Sequence, residues 1–217
     1  MALDADVLVR PARPADSGCV ARLMYLAGQG HLDLSIYDLM IDGPPGPTPE
    51  RLAQMGRMLT TRHHSWFHYS HYDLVEVGGL VASSLCSFNK KQGKGRSLAA
   101  AFREAGWTDP DLVAMSARLE PVFRVQPAVP REAWVVENVA TFREFRMNGL
   151  AGLLVAGAIE KGRKRGYRQF QIGCVMGNTN ALSVYESLGF AVTEELTDPC
   201  FEEMFGSPGM WRLTMRI

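Results

Sequence analysis

The sequence predicts a mixed α/β fold, and two features of the chain support this prediction. Extended segments at 134–141 and 169–175 are each followed by an amphipathic helix, so these two strands should lie parallel, joined by a right-handed crossover. Upstream, Gly78-Gly79 separates two apolar runs within 72–88, which indicates an antiparallel hairpin with a two-residue turn. We therefore expect a mixed sheet with helices packed against it.

The N-terminal third is predicted to form a strand and two helices. Val7 to Arg10 is a short β-branched run that ends at Pro11, and Asp16 is placed to cap the helix that follows. A Gly- and Pro-rich break from Asp42 to Pro49 contains Thr48, the expected cap of the second helix. Apolar residues at helical spacing support both helices: Val20, Leu23, Met24 and Leu26 in the first, and Leu52, Met55, Met58 and Leu59 in the second.

The segment from Asn89 to Arg131 is predicted to be an insertion that crosses one face of the domain. Its basic, glycine-containing start, Lys90 to Arg96, is expected to be a solvated loop, and helical patterns follow near 97–105 and 109–119. A chain of 217 residues with 47% hydrophobic content can fill one sizeable core. We therefore expect a single domain over 1–217, with a variable insertion at about 89–131.

The C-terminal half alternates between helix and strand. A helix is predicted from about Gly149 to Arg165, with cations in its last turn and Gly166 ending it. A second helix is predicted from Asn178 to Leu188. Extended patterns at 190–196 and 211–217 then close the sheet.

Composition narrows the class of protein. The 23 basic and 23 acidic side chains cancel, so no overall field favours nucleic acid or an anionic membrane. The four cysteines lie far apart, which matches neither a zinc-ligand spacing nor a disulfide-rich secreted domain. With no signal-peptide pattern and no long apolar run, the expected location is the cytoplasm and no membrane association is expected.

The stretch from Arg146 to Ala151, called the 146–151 turn below, is the first chemical motif. A strand that passes into a helix through Arg-x-x-Gly-x-Ala presents unpaired backbone N–H groups at the positive end of the helix dipole, which is a suitable site for an anion. Gly149 allows a ligand to approach the backbone closely, and Arg146 adds a charge. The alternative is that Gly149 and Ala151 only permit tight packing of the helix on the sheet.

The second motif decides between these alternatives. Asn178 is followed by Ala181 and then by Tyr-Glu-Ser-Leu-Gly-Phe over 185–190. Together with 139–151, this pattern resembles the GCN5-related N-acetyltransferase (GNAT) superfamily, in the family's order and spacing. The resemblance is strong over 134–190, weak over the first third, and absent over 89–131. It departs from the family at Met147, where glycine is common, and at Arg143, which replaces a common proline.

The resemblance implies a GNAT-like twisted mixed sheet, mostly antiparallel with one splayed parallel strand pair, and helices on both faces. It also implies acetyl-CoA as co-substrate, with the pantetheine arm in the splay between 139–141 and 172–174 and the pyrophosphate on the 146–151 turn. No metal is implied. The residues implied to bind acetyl-CoA are Val139, Ala140, Thr141, Arg146, Met147, Asn148, Gly149, Leu150, Ala151, Asn178, Ala181 and Tyr185.

Two catalytic residues are predicted, Tyr185 and Glu137. By the resemblance Tyr185 is the general acid that serves the leaving sulfur, and its alternative role is that of a helix tyrosine packed on the sheet. Glu137 shares strand parity with Val139 and Thr141, so it should point to the same face near the splay and act as a base, directly or through water. Glu137 could equally pair with a cation of the insertion. The resemblance also implies that the Val139 N–H is the oxyanion donor, because a splayed strand leaves it unpaired.

Other reactive side chains are given structural roles. His64 and His68 have the i, i+4 spacing of metal ligands, but the aromatic residues around them favour a packed turn that lines a substrate pocket. Cys174 lies near the proposed splay and is interpreted as a buried strand cysteine. Asn178 suits a helix cap whether or not it also contacts a cofactor.

The predicted function is transfer of an acyl group, with acetyl as the default, from acyl-CoA to a primary amine by direct attack in a ternary complex. A domain that binds acyl-CoA as a sensor or scaffold is the alternative. Dinucleotide binding is disfavoured because the turn lacks Gly-x-Gly-x-x-Gly. Small-molecule and peptide amines both stay open as acceptors, nucleic acid is not expected as a partner, and a homodimer is left open.

Overall fold

The computed structural model describes residues 6–90 and 95–217, and within these residues seven strands form one sheet. The strand order is β1-β2-β3-β4-β5-β7-β6. Neighbouring strands are antiparallel except β4 and β5, which run parallel. The strands are β1 Val7–Pro11, β2 Tyr72–Val77, β3 Leu80–Asn89, β4 Ala133–Thr141, β5 Gln169–Val175, β6 Ala191–Thr197 and β7 Gly209–Arg216.

Helices cover both faces of the sheet. None of those in the described part of the chain is long and apolar enough to span a membrane. Three short 3-10 turns precede α1, β2 and α7. The α-helices are α1 Ser17–Gln29, α2 Ile36–Met40, α3 Pro49–Leu59, α4 Gly95–Glu104, α5 Asp109–Arg118, α6 Glu120–Val125, α7 Leu150–Lys164, α8 Thr179–Ser187 and α9 Pro199–Phe205.

The two faces have separate hydrophobic cores. On the first, called the α1 face, buried side chains of α1 to α6 and α9 pack on residues such as Leu74, Cys86 and Val135. On the second, called the α7 face, α7 and α8 pack on residues such as Trp134 and Phe170. A sheet covered on both sides explains why β3 and the first half of β4 are almost continuously buried.

The close contact of α7 with the sheet depends on Gly162. A Cβ atom at this position would lie 2.6 Å from Phe170 Cε1 and 2.8 Å from Trp134 Cγ, closer than carbon atoms pack. Both aromatic side chains are fully buried. The missing side chain at 162 therefore sets how near the C-terminal half of α7 lies to β4 and β5.

The predicted fold class is confirmed, and most element boundaries agree with the structure to within two residues. The hairpin at Gly78-Gly79, the Thr48 cap and the parallel pair are as expected. Asp16 is the N-cap residue of α1, as predicted, but its side chain makes no hydrogen bond to the helix, because its carboxylate binds the Arg10 guanidinium at 2.7 Å. The short helices α2, α6 and α9 were not predicted, since a helix of five to seven residues is too short to show a 3.6-residue period.

The segment predicted as an insertion lies on the α1 face. The part of the predicted loop at 91–94 lies outside the described residues, and residues 95 and 96 belong to α4 rather than to a loop. Phe102, Trp107 and Val125 from this segment are buried in the same core as α1 and α3. The helices of the segment are thus part of the packing that covers the α1 face.

A buried ion pair fixes α2 and the Gly- and Pro-rich loop that follows it. Arg51 is 1% exposed, and its guanidinium lies 3.0 Å from Asp38 Oδ1 while donating to the Pro44 carbonyl at 2.7 Å. Asp38 Oδ2 also accepts a hydrogen bond from the Tyr25 hydroxyl at 2.8 Å. Because buried charges are costly unless they are paired and hydrogen-bonded, this arrangement holds α2 in one position against α1.

Candidate active site

A gap opens between the parallel strands β4 and β5. Their pairing begins at Ala133 and Gln169 and ends at Val136 and Ile172. Both strands continue beyond this point, β4 alongside β3 and β5 alongside β7. The last five residues of β4 therefore have no partner on β5, and the edge that they present can receive a ligand with backbone hydrogen-bonding groups.

A β-bulge lies in β4 at the start of this gap. Glu137 is opposite Cys86 on β3, and Ala140 is opposite Ser84, so Leu85 alone spans two residues of β4. These two residues are Asn138, whose φ is 51°, and Val139. Asparagine is one of the few residues that tolerate this left-handed backbone. Val139 consequently has no registered partner on either neighbouring strand.

The bulge overturns one prediction about Glu137. The sequence alternation placed Glu137 on the same face as Val139 and Thr141, but Glu137 lies on the α1 face beside Cys86, whereas Val139 packs against the core of the α7 face. The prediction is wrong because the extra residue of a bulge shifts the two-residue alternation by one. Glu137 and Val139 therefore lie on opposite faces of the sheet at the gap.

The carboxylate of Glu137 has the properties of a proton acceptor near neutral pH. It is partly buried, and no described residue donates a hydrogen bond to it or forms an ion pair with it. Loss of solvent on burial raises its pKa from 4.5 to about 7. The alternative prediction, pairing with a cation of the segment at 89–131, has no support among the described residues.

Tyr185 lies on the α7 face, opposite to the face on which Glu137 lies. It extends from α8 into the core of the α7 face, is 6% exposed, and packs edge-on against Phe190 at 6.5 Å between ring centroids. Burial, and to a smaller extent the nearby Cys174 thiol, raise the pKa of the Tyr185 phenol above its ordinary value. Its hydroxyl has no hydrogen-bond partner in the described part of the chain. Tyr185 therefore carries an unengaged proton at neutral pH.

Cys174 is a buried strand residue, as predicted. It is 4% exposed, and desolvation raises the pKa of its thiol to about 12. Because the thiolate is the nucleophilic form, this thiol is almost entirely unreactive at neutral pH.

The 146–151 turn presents a row of free N–H groups. Met147 and Gly149 have left-handed backbones, with φ of 64° and 72°, and the first N–H of α7 that bonds back along the helix belongs to Leu153. Within the described residues, the N–H groups from Met147 to Gly152 have no protein acceptor. Successive N–H groups at the start of a helix form a concave site for an anion.

Two side chains of the turn donate hydrogen bonds to nearby backbone carbonyls. Asn148 Nδ2 donates to the carbonyls of Phe145 at 3.2 Å and Arg146 at 3.0 Å. Arg146 Nε donates to the Thr141 carbonyl at 3.2 Å, which ties the turn to the end of β4. Met147 is 100% exposed, and so its side chain contributes no packing. Met147 thus replaces the glycine that is common in the family at a position whose left-handed backbone favours glycine.

Asn178 caps α8, as predicted. Its Oδ1 atom accepts a hydrogen bond from the Ala181 N–H at 3.2 Å. A Cβ atom on Gly30 would lie 3.5 Å from Asn178 Nδ2, and one on Gly177 would lie 3.0 Å from His31 Nε2. The C-terminal end of α1 therefore contacts the loop between β5 and α8, next to the gap.

The histidine-rich segment forms a packed turn. His68 is 3% exposed and its ring stacks on that of His64, with the centroids 3.8 Å apart. Burial lowers the pKa of His68 and of His71 to about 4, so both are neutral at physiological pH. Among the described residues, no group of three His, Cys, Asp or Glu side chains is arranged to hold a metal ion. Contact of this turn with a substrate stays a prediction.

Two residues of the site were not identified from the sequence, Asn138 and Tyr37. The side chain of Asn138 accepts a hydrogen bond from the Tyr37 hydroxyl at 3.0 Å. An asparagine in the middle of an apolar strand is a signal for a bulge, because asparagine is depleted in regular strands. No comparable signal marks Tyr37, whose helix is too short to be detected by periodicity.

Comparison with known proteins shows which family part of the chain resembles. Residues 91–190 match the model of the Acetyltransferase (GNAT) family, so the matched region begins inside the segment in which no resemblance was recognised from the sequence. The resemblance to the GNAT superfamily is confirmed by this match to a GNAT acetyltransferase domain. The reaction of the family is acetyl-CoA-dependent acetylation. A search of the curated proteins gave no match.

Solved structures share the fold at low sequence identity. An acetyltransferase is 16% identical with a TM-score of 0.68, over 97% of this chain and 99% of that one. An N-acetyltransferase from Staphylococcus aureus Mu50 is 19% identical with a TM-score of 0.67, over 95% and 98%. A putative acetyltransferase from Salmonella typhimurium, solved with its cofactor acetyl-CoA, is 14% identical with a TM-score of 0.57, over 98% and 94%.

Proposed function

We propose that this protein transfers the acetyl group of acetyl-CoA to a primary amine by direct attack of the amine on the bound thioester. The observation that carries the proposal is the arrangement at the end of β4. A strand edge without a partner on β5 leads within a few residues to a turn with six N–H groups that have no acceptor in the described part of the chain. Such an edge suits an extended amide-containing arm, and such a turn suits the diphosphate at the end of that arm.

The diphosphate would be held by backbone groups. The N–H groups of Met147, Asn148, Gly149, Leu150 and Ala151 would donate to its oxygens, aided by the positive end of the α7 dipole. The left-handed backbones at 147 and 149 support this assignment, since alternating conformations of this kind direct neighbouring N–H groups toward one point. Arg146 is exposed and adds a positive charge beside the site.

The pantetheine arm would lie in the gap between β4 and β5. Backbone groups from Val139 to Thr141 would pair with its amides, as a neighbouring strand would. The Nδ2 group of Asn178 would be a further donor, because its Oδ1 is already occupied by the Ala181 N–H. Ala181 and Tyr185 would line the inner end of the arm, where α8 faces the gap.

The acceptor amine would approach from the α1 face and lose its proton to Glu137, directly or through water. A carboxylate with a pKa of about 7 is half ionised at neutral pH, so it can accept a proton and release it again between turnovers. The neutral amine then attacks the thioester carbon, and the Val139 N–H would stabilise the oxyanion that forms. In this mechanism the base and the residue that supplies the oxyanion donor extend to opposite faces of the sheet.

Collapse of the tetrahedral intermediate breaks the bond between carbon and sulfur. The products are an amide and the CoA thiolate, which takes up one proton. Because burial raises the pKa of Tyr185 above that of a thiol, at about 8.5, we assign Tyr185 a hydrogen bond to the leaving sulfur. Full proton transfer from Tyr185 would be uphill. The nitrogen of the intermediate must lose a second proton as the amide forms, and this proton is the better source for the thiolate.

The proposal is tested by calorimetric titration with acetyl-CoA and by thiol release with a panel of primary amines. Tyr185→Phe should lower kcat by about 10-fold or more while leaving the affinity for CoA within about 2-fold. Tyr167→Phe is the matched control, because Tyr167 packs on Trp134 at the opposite end of β4. Absence of acetyl-CoA binding to the wild-type protein would contradict the proposed function.

The acceptor is proposed to be a small-molecule or peptide amine, handled in the cytoplasm without metal, nucleic acid or membrane; a homodimer is left open. An alternative function is that of a non-catalytic acyl-CoA sensor or scaffold. The unengaged Tyr185 hydroxyl and the raised pKa of Glu137 favour the enzyme, because neither is needed for CoA binding alone. Tight acetyl-CoA binding without turnover of any amine would favour the sensor.

A further inference from the structure

Three side chains from distant parts of the chain meet at the β4 bulge. The Tyr37 hydroxyl donates to Asn138 Oδ1 at 3.0 Å, and Asn138 Nδ2 donates to the Tyr72 hydroxyl at 3.2 Å. The Tyr72 hydroxyl in turn donates to Met24 Sδ at 3.1 Å. We call Tyr37, Asn138 and Tyr72 the bulge clamp. Both ends of the Asn138 amide are thereby engaged.

The two tyrosines of the bulge clamp are buried, and Tyr37 is closely packed. Tyr37 is 2% exposed and Tyr72 is 0% exposed, so water does not compete well for their hydroxyl groups. A Cβ atom on Gly28 would lie 2.7 Å from the Tyr37 ring, which shows how closely that ring packs on α1. The next residue, Asp38, is fixed by Arg51 and Tyr25. Tyr37 therefore has little freedom to follow Asn138 if the strand moves.

The bulge needs such support because it is a strained alternative to regular pairing. Asn138 has a φ of 51°, which most residues with a side chain avoid. If β4 relaxed to regular pairing with β3, every residue after Glu137 would turn to the opposite face. Val139 would then gain a partner on β3, and its N–H would no longer be available at the gap.

We propose that Asn138, Tyr37 and Tyr72 are positioning residues for acetyl transfer: they hold the bulge so that the Val139 N–H lies at the gap while the Glu137 carboxylate stays on the α1 face. The proposal rests on the proposed function above. None of the three touches the reacting atoms. They set the relation between the oxyanion donor and the base, which are only two residues apart in sequence.

The test uses Tyr37→Phe, Asn138→Gly and the double variant. Tyr37→Phe removes one hydroxyl, and Asn138→Gly keeps the left-handed backbone while removing the amide. Each single variant should lower kcat by about 10-fold, part of the loss seen when an oxyanion donor is deleted, with the KM for acetyl-CoA and the Kd for CoA within about 2-fold. The double variant should lose no more than the worse single variant, because both break the same clamp.

A second test disturbs the bulge clamp through α1, which packs against the Tyr37 ring. Gly28→Ala should push the Tyr37 ring and lower kcat, whereas Gly18→Ala in the same helix should not, since a Cβ atom at 18 meets nothing within 4 Å. Hydrogen exchange gives a readout that needs no turnover. In Tyr37→Phe the peptide covering 134–141 should exchange faster than in the wild type, while the peptide covering 150–164 should be unchanged.

Any one of the following results would overturn the inference: wild-type kcat in both single variants, multiplicative losses in the double variant, or unchanged exchange of 134–141 in Tyr37→Phe. A loss of CoA affinity that parallels the loss of kcat would also overturn it, because it would indicate general disruption. If the wild-type protein binds no acetyl-CoA, the proposed function fails. The exchange experiment still decides whether Tyr37 holds the bulge.

Discussion

Replacing Glu137 by glutamine should stabilise the protein and inactivate it at the same pH. The folded protein raises the pKa of Glu137 from 4.5 to about 7 because the carboxylate loses solvent and gains no partner among the residues that the structure describes. Between these two values the folded state holds a proton that the unfolded state releases, so stability falls as pH rises through this window. Above pH 7 the folded state carries the full cost of a buried charge.

The magnitude follows from the size of the shift. Each pKa unit corresponds to about 1.4 kcal/mol, so a rise from 4.5 to about 7 costs at most ~3 kcal/mol. Because the side chain keeps some solvent contact, we expect roughly 1 to 3 kcal/mol. Glutamine has the same shape and no charge. For a chain of 217 residues this corresponds to a Tm higher by roughly 2 to 12 °C at pH 8, and to almost no difference at pH 4.

The assay is thermal unfolding of wild type and Glu137→Gln across pH 4 to pH 8, with Glu203→Gln as the control because Glu203 is exposed on α9. In parallel, kcat/KM of the wild type should rise with pH through about 7, as the base becomes ionised, and Glu137→Gln should lose about 100-fold or more.

Equal Tm values of wild type and Glu137→Gln at pH 8 would refute the argument that Glu137 is buried without a partner. A wild-type rate that rises through pH 4 to 5 instead would show that the carboxylate ionises at its ordinary value. Loss of activity without any gain in stability would indicate that Glu137 is a base in a solvated site and would contradict its burial.

Two further predictions concern the backbone of the site and the packing beneath it. Met147→Gly should raise the free energy of unfolding by about 0.5 to 1 kcal/mol in urea, because it relieves left-handed strain at a 100% exposed side chain. A measured loss of stability would contradict the strain. Gly162→Ala should destabilise by roughly 1 to 3 kcal/mol through contacts with Phe170 and Trp134, whereas Gly157→Ala in the same helix meets nothing and should stabilise by about 0.5 to 1 kcal/mol. Similar effects of the two glycine variants would refute the packing argument.

Local sequence patterns were sufficient for most of the sheet and the longer helices. The strand Gln169–Val175 and the start of α3 at Pro49 were predicted to the residue, because alternation, caps and turns act over only a few neighbours. The free N–H groups of the 146–151 turn also follow from local sequence, since any helix that begins without a side-chain cap leaves them unpaired.

The sequence by itself determined the fold class, the unpaired N–H groups of the 146–151 turn and the resemblance to the GNAT superfamily, because these depend on short-range patterns and on two motifs. Only the tertiary structure decided which face Glu137 occupies, that its pKa is raised, and that Tyr37 and Tyr72 hold Asn138. A bulge arises from a mismatch between two strands, β3 and β4, that are more than 40 residues apart in sequence. Its effect on side-chain direction therefore cannot be derived from the alternation within either strand.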